Sequence, residues 1–163
     1  MKRILCLLLS VCLLLGGCAA SQGMREPVTF YYLRTDYRYG TADGVIAGES
    51  RESSGHSGDL TYLISMYLMG PSSEELLSPL PQGTTLLDIT RGENAVTLSL
   101  SDVGKSVTEL EYSLACACLA MTVMGISGGD SVTIQSGDRS VTITGDNLTI
   151  YDSSTAVPTE AIK

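Results

Sequence analysis

Apolar residues between positions 59 and 69 recur every three or four residues, which predicts an amphipathic helix. Its buried stripe comprises Leu60, Leu63, Ile64, Tyr67 and Leu68. Gly70 and Pro71 follow and end the helix, because glycine suits a left-handed C-terminal cap and proline cannot continue the helical hydrogen bonds. Residues 72–75 (S-S-E-E) have the pattern of a capping box that opens a short turn.

Three segments have the β-branched, aromatic or alternating pattern of strands: 27–33, 85–90 and 95–100. The last alternates apolar and polar residues, so one face is expected in the core and the other in solvent. A turn at 91–94 joins the second strand to the third. Thr35–Ser57 is polar and rich in glycine, which predicts a long surface loop of the kind that carries function or mobility.

A second helix is predicted from Ser106 to about Met124. Ser106 and Glu109 have the spacing of a capping box at its start, and Gly125 is predicted to end it. The residues predicted to face inward are Val107, Leu110, Leu114, Ala117, Cys118 and Met121.

Gly-Asp pairs recur at a spacing of eight residues, at 129–130, 137–138 and 145–146. Each precedes an alternating stretch, at 132–134, 141–143 and 148–150. This pattern predicts a meander of short strands with Gly-Asp at the turns. A calcium-binding β-roll is the alternative, but its stacked turns need a longer glycine-rich consensus than three such units supply.

The predicted fold is therefore α+β and two-layered, with a mixed or antiparallel sheet, two helices packed on one face and a C-terminal β-meander. Residues 27–152 form the domain, and residues 153–163 a polar tail.

The chain begins with an export signal. Two cations, Lys2 and Arg3, precede an almost unbroken apolar run from residue 4 to 15, too short for the roughly 20 residues that span a bilayer. The L-G-G-C that follows resembles a lipobox, which predicts a signal peptide at 1–17 and a lipid on Cys18. Residues 18–26 would then be a tether that holds the domain on the outer side of the cell membrane.

Charge narrows the range of partners. The chain carries 18 acidic and 10 basic residues, a formal charge of −8, and loss of Lys2 and Arg3 with the signal peptide makes it −10. Such a protein has no basic patch for nucleic acid and little attraction to anionic lipid headgroups. Attachment to the membrane is therefore assigned to the lipid anchor.

Residues 69–89 (M-G-P-S-S-E-E-L-L-S-P-L-P-Q-G-T-T-L-L-D-I) resemble the GerMN (Germane) domain of sporulation and spore-germination proteins. In that family a helix ends in Gly-Pro, an S-P-L-P-x-G-T turn follows, and then a strand. The hairpin at Gly92, the strand ending L-S-L-S-D, the alanine-rich helix and the glycine-marked turn into V-T-I extend the similarity over residues 28–150. The resemblance implies an extracytoplasmic α+β module, similar to ring-building modules, with no catalytic residues to carry over and with envelope or sporulation proteins as partners.

Candidate catalytic and metal groups are few. His56 is the only histidine, and it lies on a glycine-flanked segment beside Ser57 and Asp59, whereas a Ser-His-Asp triad needs groups from separate rigid elements. Cys116 and Cys118 are two apart on the predicted helix, which suits neither chelation nor a disulfide and favours small core residues. No catalytic residue, metal ligand or cofactor is therefore assigned, and the protein is predicted not to be an enzyme.

Four tyrosines on the first strand and its exit are the candidate binding residues: Tyr31, Tyr32, Tyr37 and Tyr39. Tyrosine supplies contact area with a polar tip, although the same four residues suit a core and its rim equally well. The first hypothesis is a non-enzymatic interaction module, and the alternative is a lipoprotein that binds a cell-wall fragment or nutrient in a cleft near residues 35–57. A pocket lined by the tyrosines would favour the alternative.

Overall fold

The computed structural model describes residues 26–36, 44–103 and 106–147. Its elements, in chain order, are β1 (Pro27–Arg34), β2 (Ile46–Glu52), α1 (Leu60–Leu68), β3 (Leu76–Leu77), β4 (Leu86–Arg91), β5 (Ala95–Leu100), α2 (Glu109–Ser127), β6 (Ser131–Ser136), β7 (Arg139–Thr144) and a short 3₁₀ helix (Gly145–Asn147). Several predictions lie outside the described residues: the signal peptide at 1–17, Cys18, most of the tether, Tyr37, Tyr39, the strand at 148–150 and the tail at 153–163.

The strands form two sheets instead of the single sheet predicted. Sheet A has the order β2-β1-β3 and is antiparallel, and sheet B has the order β4-β5-β6-β7. Within sheet B, β5 and β6 are parallel and the other neighbours are antiparallel, so α2 is the crossover between the parallel pair. The α+β class with two helices and a C-terminal β-hairpin is confirmed.

The first helix agrees with its sequence pattern. Asp59 caps α1, its carboxylate accepting the backbone N–H of Tyr62 at 3.0 Å. The predicted stripe faces inward, with Leu60, Leu63, Ile64 and Tyr67 buried and Leu68 partly buried against the core. Gly70 follows with a positive φ of 93°, as expected for a glycine that ends a helix.

The second helix begins and ends later than predicted. Its capping box is Thr108 with Glu111: the Thr108 side chain accepts the backbone N–H of Glu111, and the Glu111 carboxylate accepts that of Thr108 at 2.7 Å. Gly128, with φ 68°, ends the helix in place of Gly125. Ser106 and Gly125 are residue types that suit a helix start and a helix end. The extended cap conformation is instead adopted by Thr108, and the left-handed one by Gly128.

The inward stripe predicted for α2 is wrong in part: Cys118 is buried as predicted, but the other buried positions of the helix differ from the stripe. Leu110 is 55% exposed, and the buried residues are Tyr112, Ala115, Cys116, Cys118, Leu119, Ala120, Thr122 and Val123. These residues point in several directions around the helix because α2 contacts β1 of sheet A as well as β6 and β7 of sheet B. By length and composition α2 could cross a membrane, but here it is the central helix of the core.

The predicted loop at Thr35–Ser57 contains a strand. Residues 46–52 (I-A-G-E-S-R-E) pair with β1 along its whole length as β2, the edge strand of sheet A. The hydrophobicity pattern does not predict this strand, because its core-facing positions include the charged residues Glu49 and Arg51. Their burial depends on specific partners that sequence alone does not show.

The C-terminal turns agree with the meander as far as they are described. Gly137 and Asp138 form the turn between β6 and β7, and Gly137 has a φ of 57°. Glycine is also required sterically, since a Cβ at residue 137 would lie 2.7 Å from Oδ1 of Asp102. Gly145 begins the 3₁₀ helix, and its N–H donates to the Asp130 carbonyl at 3.1 Å.

Candidate functional site

A buried ion pair lies on the core-facing side of β2. The register places Glu49 opposite Phe30 and Arg51 opposite Val28, and residues two apart in a strand share a face. Arg51 Nε is 2.8 Å from Glu49 Oε2, and the two side chains are 17% and 12% exposed. Such a pair needs further hydrogen bonds to offset the loss of water.

Those further bonds join sheet A to residues 70–73, which we call the Gly-Pro segment. Glu49 Oε1 accepts the backbone N–H groups of Ser72 at 2.9 Å and Ser73 at 2.8 Å. Arg51 Nη2 donates to the Gly70 carbonyl at 2.8 Å and to the Tyr32 hydroxyl. The pattern at residues 72–75 forms the predicted short turn, in which the Leu76 N–H donates to the Ser73 carbonyl at 3.3 Å, and the chain then continues into β3.

Tyr32 belongs to this polar cluster and to the core. It is fully buried, stacks on Tyr67 with 4.8 Å between ring centroids, and donates its hydroxyl proton to the Tyr67 carbonyl at 3.1 Å. The Arg51 guanidinium lies 5.6 Å from the Tyr32 ring centroid and 4.9 Å from that of Phe30. Burial raises the pKa of Tyr32 to about 12, although the nearby Arg51 cation opposes the shift. The structure gives this candidate binding residue a core position.

Tyr31 lies on the opposite face of sheet A from Tyr32, because successive residues of a strand point to opposite sides. It is half-buried and its ring covers Gly48 of β2, where an added Cβ would lie 3.4 Å from Tyr31 Cε1 and 2.9 Å from Thr29 Cγ2. Tyr31 and Tyr32 are therefore not brought together, and the predicted cluster of four tyrosines does not form one surface within the described chain.

Within the described residues, a concavity lies near each end of β1. The first, of about 450 Å³, lies at the end of β1 where it meets β2 and the approach to β3, with Arg34, Asp36, Glu49, Ser73 and Glu75 in its wall. The second, of about 300 Å³, lies beside the start of β1 and the end of α2, with Tyr31, Gly125 and Ile126 in its wall. Of the candidate tyrosines, only Tyr31 is described in a concavity wall, so the pocket of tyrosines that would favour ligand binding is not found in the described residues.

The residues around His56 have structural roles. The Asp59 carboxylate caps α1, and the His56 ring stacks on Tyr62 with 4.2 Å between centroids. Ser57 lies in the wall of the second concavity. An acid committed to a helix cap cannot orient a histidine as a catalytic triad requires.

Cys116 and Cys118 are buried and free, as expected for small core residues. Burial raises the pKa of Cys116 to about 11 and that of Cys118 to about 12, so the reactive thiolate is scarce at neutral pH. Across the residues that the structure describes, no three His, Cys, Asp or Glu side chains are grouped to hold a metal ion.

We expect both thiols to resist alkylation in the folded protein at pH 8 and to react fully after denaturation. Their raised pKa also means that the folded state holds its protons longer than the unfolded state. The free energy of unfolding therefore falls as the pH rises from about 9 towards 11–12. Thiol counting with and without denaturant, and base titration of unfolding, measure these effects. Rapid native labelling of either thiol would contradict the burial.

The described fold defines a class: an α+β domain in which one long helix packs between two small sheets. A family model described as "Germane: Sporulation and spore germination" matches residues 29–142. The chain belongs to this Germane, or GerMN, family, which confirms the resemblance carried by residues 69–89.

Three solved structures are similar to this chain at low sequence identity. The tandem GerMN domains of the sporulation protein GerM from Bacillus subtilis are 18% identical with a TM-score of 0.50, over 76% of this chain and 43% of that one. The first GerMN domain of the same protein is 14% identical (TM-score 0.47, 71% and 86% covered). A Clostridium perfringens protein described as a candidate lipoprotein is 16% identical (TM-score 0.46, 75% and 89% covered). A search of curated proteins finds no match.

Proposed function

We propose that this protein is a membrane-anchored lipoprotein whose Germane domain binds envelope proteins, in a sporulation, germination or related process, without catalysing a reaction. Membership of a family described by sporulation and spore germination supports the process. The L-G-G-C at residues 15–18 supports the anchor.

One observation carries the non-enzymatic part of the proposal: the largely buried Glu49 carboxylate and the exposed Asp59 carboxylate near His56 are both committed to the structure. Glu49 spends both carboxylate oxygens on Arg51 and on two backbone donors, and Asp59 caps a helix. A general acid or base must instead be free to exchange a proton with a substrate. A partner protein would therefore contact the surface of the domain or the edges of its sheets.

The anchor is tested by Cys18→Ser. We expect the variant to lose incorporation of a fatty-acid analogue and to leave the membrane fraction, because the thiol that accepts the lipid is gone while the domain is unchanged. Cys118→Ser serves as the control, since a buried thiol receives no lipid, and it should remain labelled. Equal labelling of wild type and Cys18→Ser would rule out the anchor.

Partner binding is tested by crosslinking in intact cells, followed by identification of the products. The proposal expects a reproducible envelope protein that is lost when the domain is deleted and the anchor kept. To test for catalysis, His56, Ser57 and Asp59 are replaced together with alanine, with folding and lipidation verified. Loss of the cellular phenotype in that variant would indicate that these three residues act in catalysis, as in a hydrolase, and would contradict the proposal.

A second candidate function is ligand binding in the first concavity. Its volume of about 450 Å³ falls within the range of small-molecule sites, and it lies where the alternative hypothesis places a cleft, at the exit of β1. Cell-wall fragments that bind there would raise the melting temperature with ligand concentration. Charge reversal by Glu75→Lys in the wall of the concavity should change that response.

A further inference from the structure

β1 has two edges: one pairs with β2 along its length, and the other pairs with the short β3 over two residues only. The Arg34 N–H donates to the Val45 carbonyl, and the Glu26 carbonyl accepts the Ser53 N–H. The backbone N–H and C=O groups of even-numbered residues therefore point towards β2. Odd-numbered residues face the other edge, as the bond from the Thr35 N–H to the Glu75 carbonyl shows.

Only part of that other edge is covered. β3 pairs with Leu33 and Arg34 alone, and the N–H of Tyr31 donates to Oγ1 of Thr122 on α2 at 2.9 Å. Thr29 directs its N–H and C=O towards this edge, and Pro27 directs its C=O there. No described residue forms a hydrogen bond with these three groups. The open edge is therefore the stretch Pro27–Thr29.

The second concavity runs beside this open edge. Residues 26–29 form one wall, and Gly125 and Ile126 at the end of α2 contribute to the other. A Cβ at Gly125 would meet no atom within 4 Å, so the wall is low there and leaves room for a side chain. A strand edge beside a groove is the arrangement in which extended peptides add to a sheet, the backbone supplying affinity and the groove specificity.

Charge selects among such peptides. Glu26 is exposed at one end of the groove, and the whole chain carries a formal charge of −8. A basic side chain beside the docked backbone is favoured there, and an acidic one is repelled.

We propose that the open edge at Pro27–Thr29 docks an extended, basic segment of a partner protein, which adds to sheet A beside β1 and places a side chain in the groove against Gly125 and Ile126. The inference rests on the proposed partner-binding function and specifies its surface. Thr29 supplies one donor and one acceptor to the segment. Pro27, which has no N–H, supplies an acceptor only.

The full-length protein, solubilised in detergent, is tested with the probe acetyl-Lys-Val-Thr-Val-Lys-amide. We expect saturable binding that slows hydrogen exchange of the Thr29 amide. Methylation of the probe's backbone nitrogens should weaken binding at least about tenfold, because it removes donors to the edge, and a probe with Glu in place of Lys should also bind more weakly. Protection of the Thr29 amide before any probe is added would show that the edge is already paired, and would overturn the proposal.

Two variants remove the site in different ways. Thr29→Pro deletes the outward donor and keeps every bond between β1 and β2, and Gly125→Trp fills the groove. Both should weaken binding about tenfold or more. Thr29→Val, which keeps the N–H, and Ser113→Trp, on an exposed position of the same helix, should bind the probe as the wild type does.

Crosslinking in cells separates this proposal from the function on which it rests. If wild type captures an envelope protein and folded Thr29→Pro and Gly125→Trp capture it equally well, the docking edge is wrong and the interaction function stands. If wild type captures none, the interaction function fails. Loss of capture in both variants, with Thr29→Val unaffected, supports the edge.

Discussion

Arg51→Ala is expected to lower the free energy of unfolding by about 3 kcal/mol, near the low end of the range for a broken buried ion pair. We expect a loss at the low end of that range because the Arg51 side chain is 17% exposed and keeps some contact with water. Removing it leaves the Glu49 carboxylate without its cation and the Gly70 carbonyl and Tyr32 hydroxyl without a donor. Denaturant titration measures the loss.

Arg139→Ala is the matched control. Arg139 also forms an ion pair, but its partner Glu109 is 84% exposed, and such surface pairs contribute about 1 kcal/mol or less. The double variant of Glu49 and Arg51 should lose less than the sum of the single losses, because removing either partner already breaks the network. Additive losses, or equal losses for Arg51→Ala and Arg139→Ala, would show that the buried pair does not hold the Gly-Pro segment.

Leu119→Ala should also destabilise the domain strongly, by about 2–5 kcal/mol, through the cavity left in a close-packed core. Leu119 is fully buried on α2, the helix that contacts both sheets. Loss of its side chain therefore weakens the packing of sheet A and sheet B together. Thermal and denaturant unfolding measure the effect.

Leu110→Ala provides the comparison, because the same substitution is made on the same helix where the side chain is 55% exposed. We expect a loss of less than about 1 kcal/mol, as for surface substitutions generally. The pair also tests the orientation of α2, since the hydrophobic pattern alone predicts that Leu110 faces inward. A larger loss for Leu110→Ala than for Leu119→Ala would favour that orientation over the structure.

The sequence predicts the parts of the fold that follow a single periodicity. α1 has one neighbour-facing stripe, and β5 alternates cleanly, with Val96, Leu98 and Leu100 buried. α2 lies between two sheets, so it is apolar on several sides and its periodicity indicates no unique orientation. The pattern of each strand predicts the strand itself but not its neighbours. It therefore does not show that the strands form two sheets instead of one.

The polar cluster was missed for a related reason. Glu49 and Arg51 are two residues apart, a spacing that puts both on one face of a strand, and this was the only available signal. The decisive partners are backbone groups of the Gly-Pro segment, 19 to 24 residues away in sequence. Tyr31 and Tyr32 could be expected to point to opposite sides once β1 was assigned, but which side is the core depends on where α2 packs.

The bond between Tyr31 and Thr122 has a consequence for how the chain folds if it is exported as we propose. It joins residues 91 positions apart, and it attaches the first strand to a helix near the end of the domain. β1 would leave the export channel first, yet the helix that completes its packing follows only after most of the domain has crossed. Contacts so distant in sequence form late and slowly. We therefore expect the chain to stay unfolded and open to chaperones throughout translocation, and to fold as one unit only once α2 has emerged.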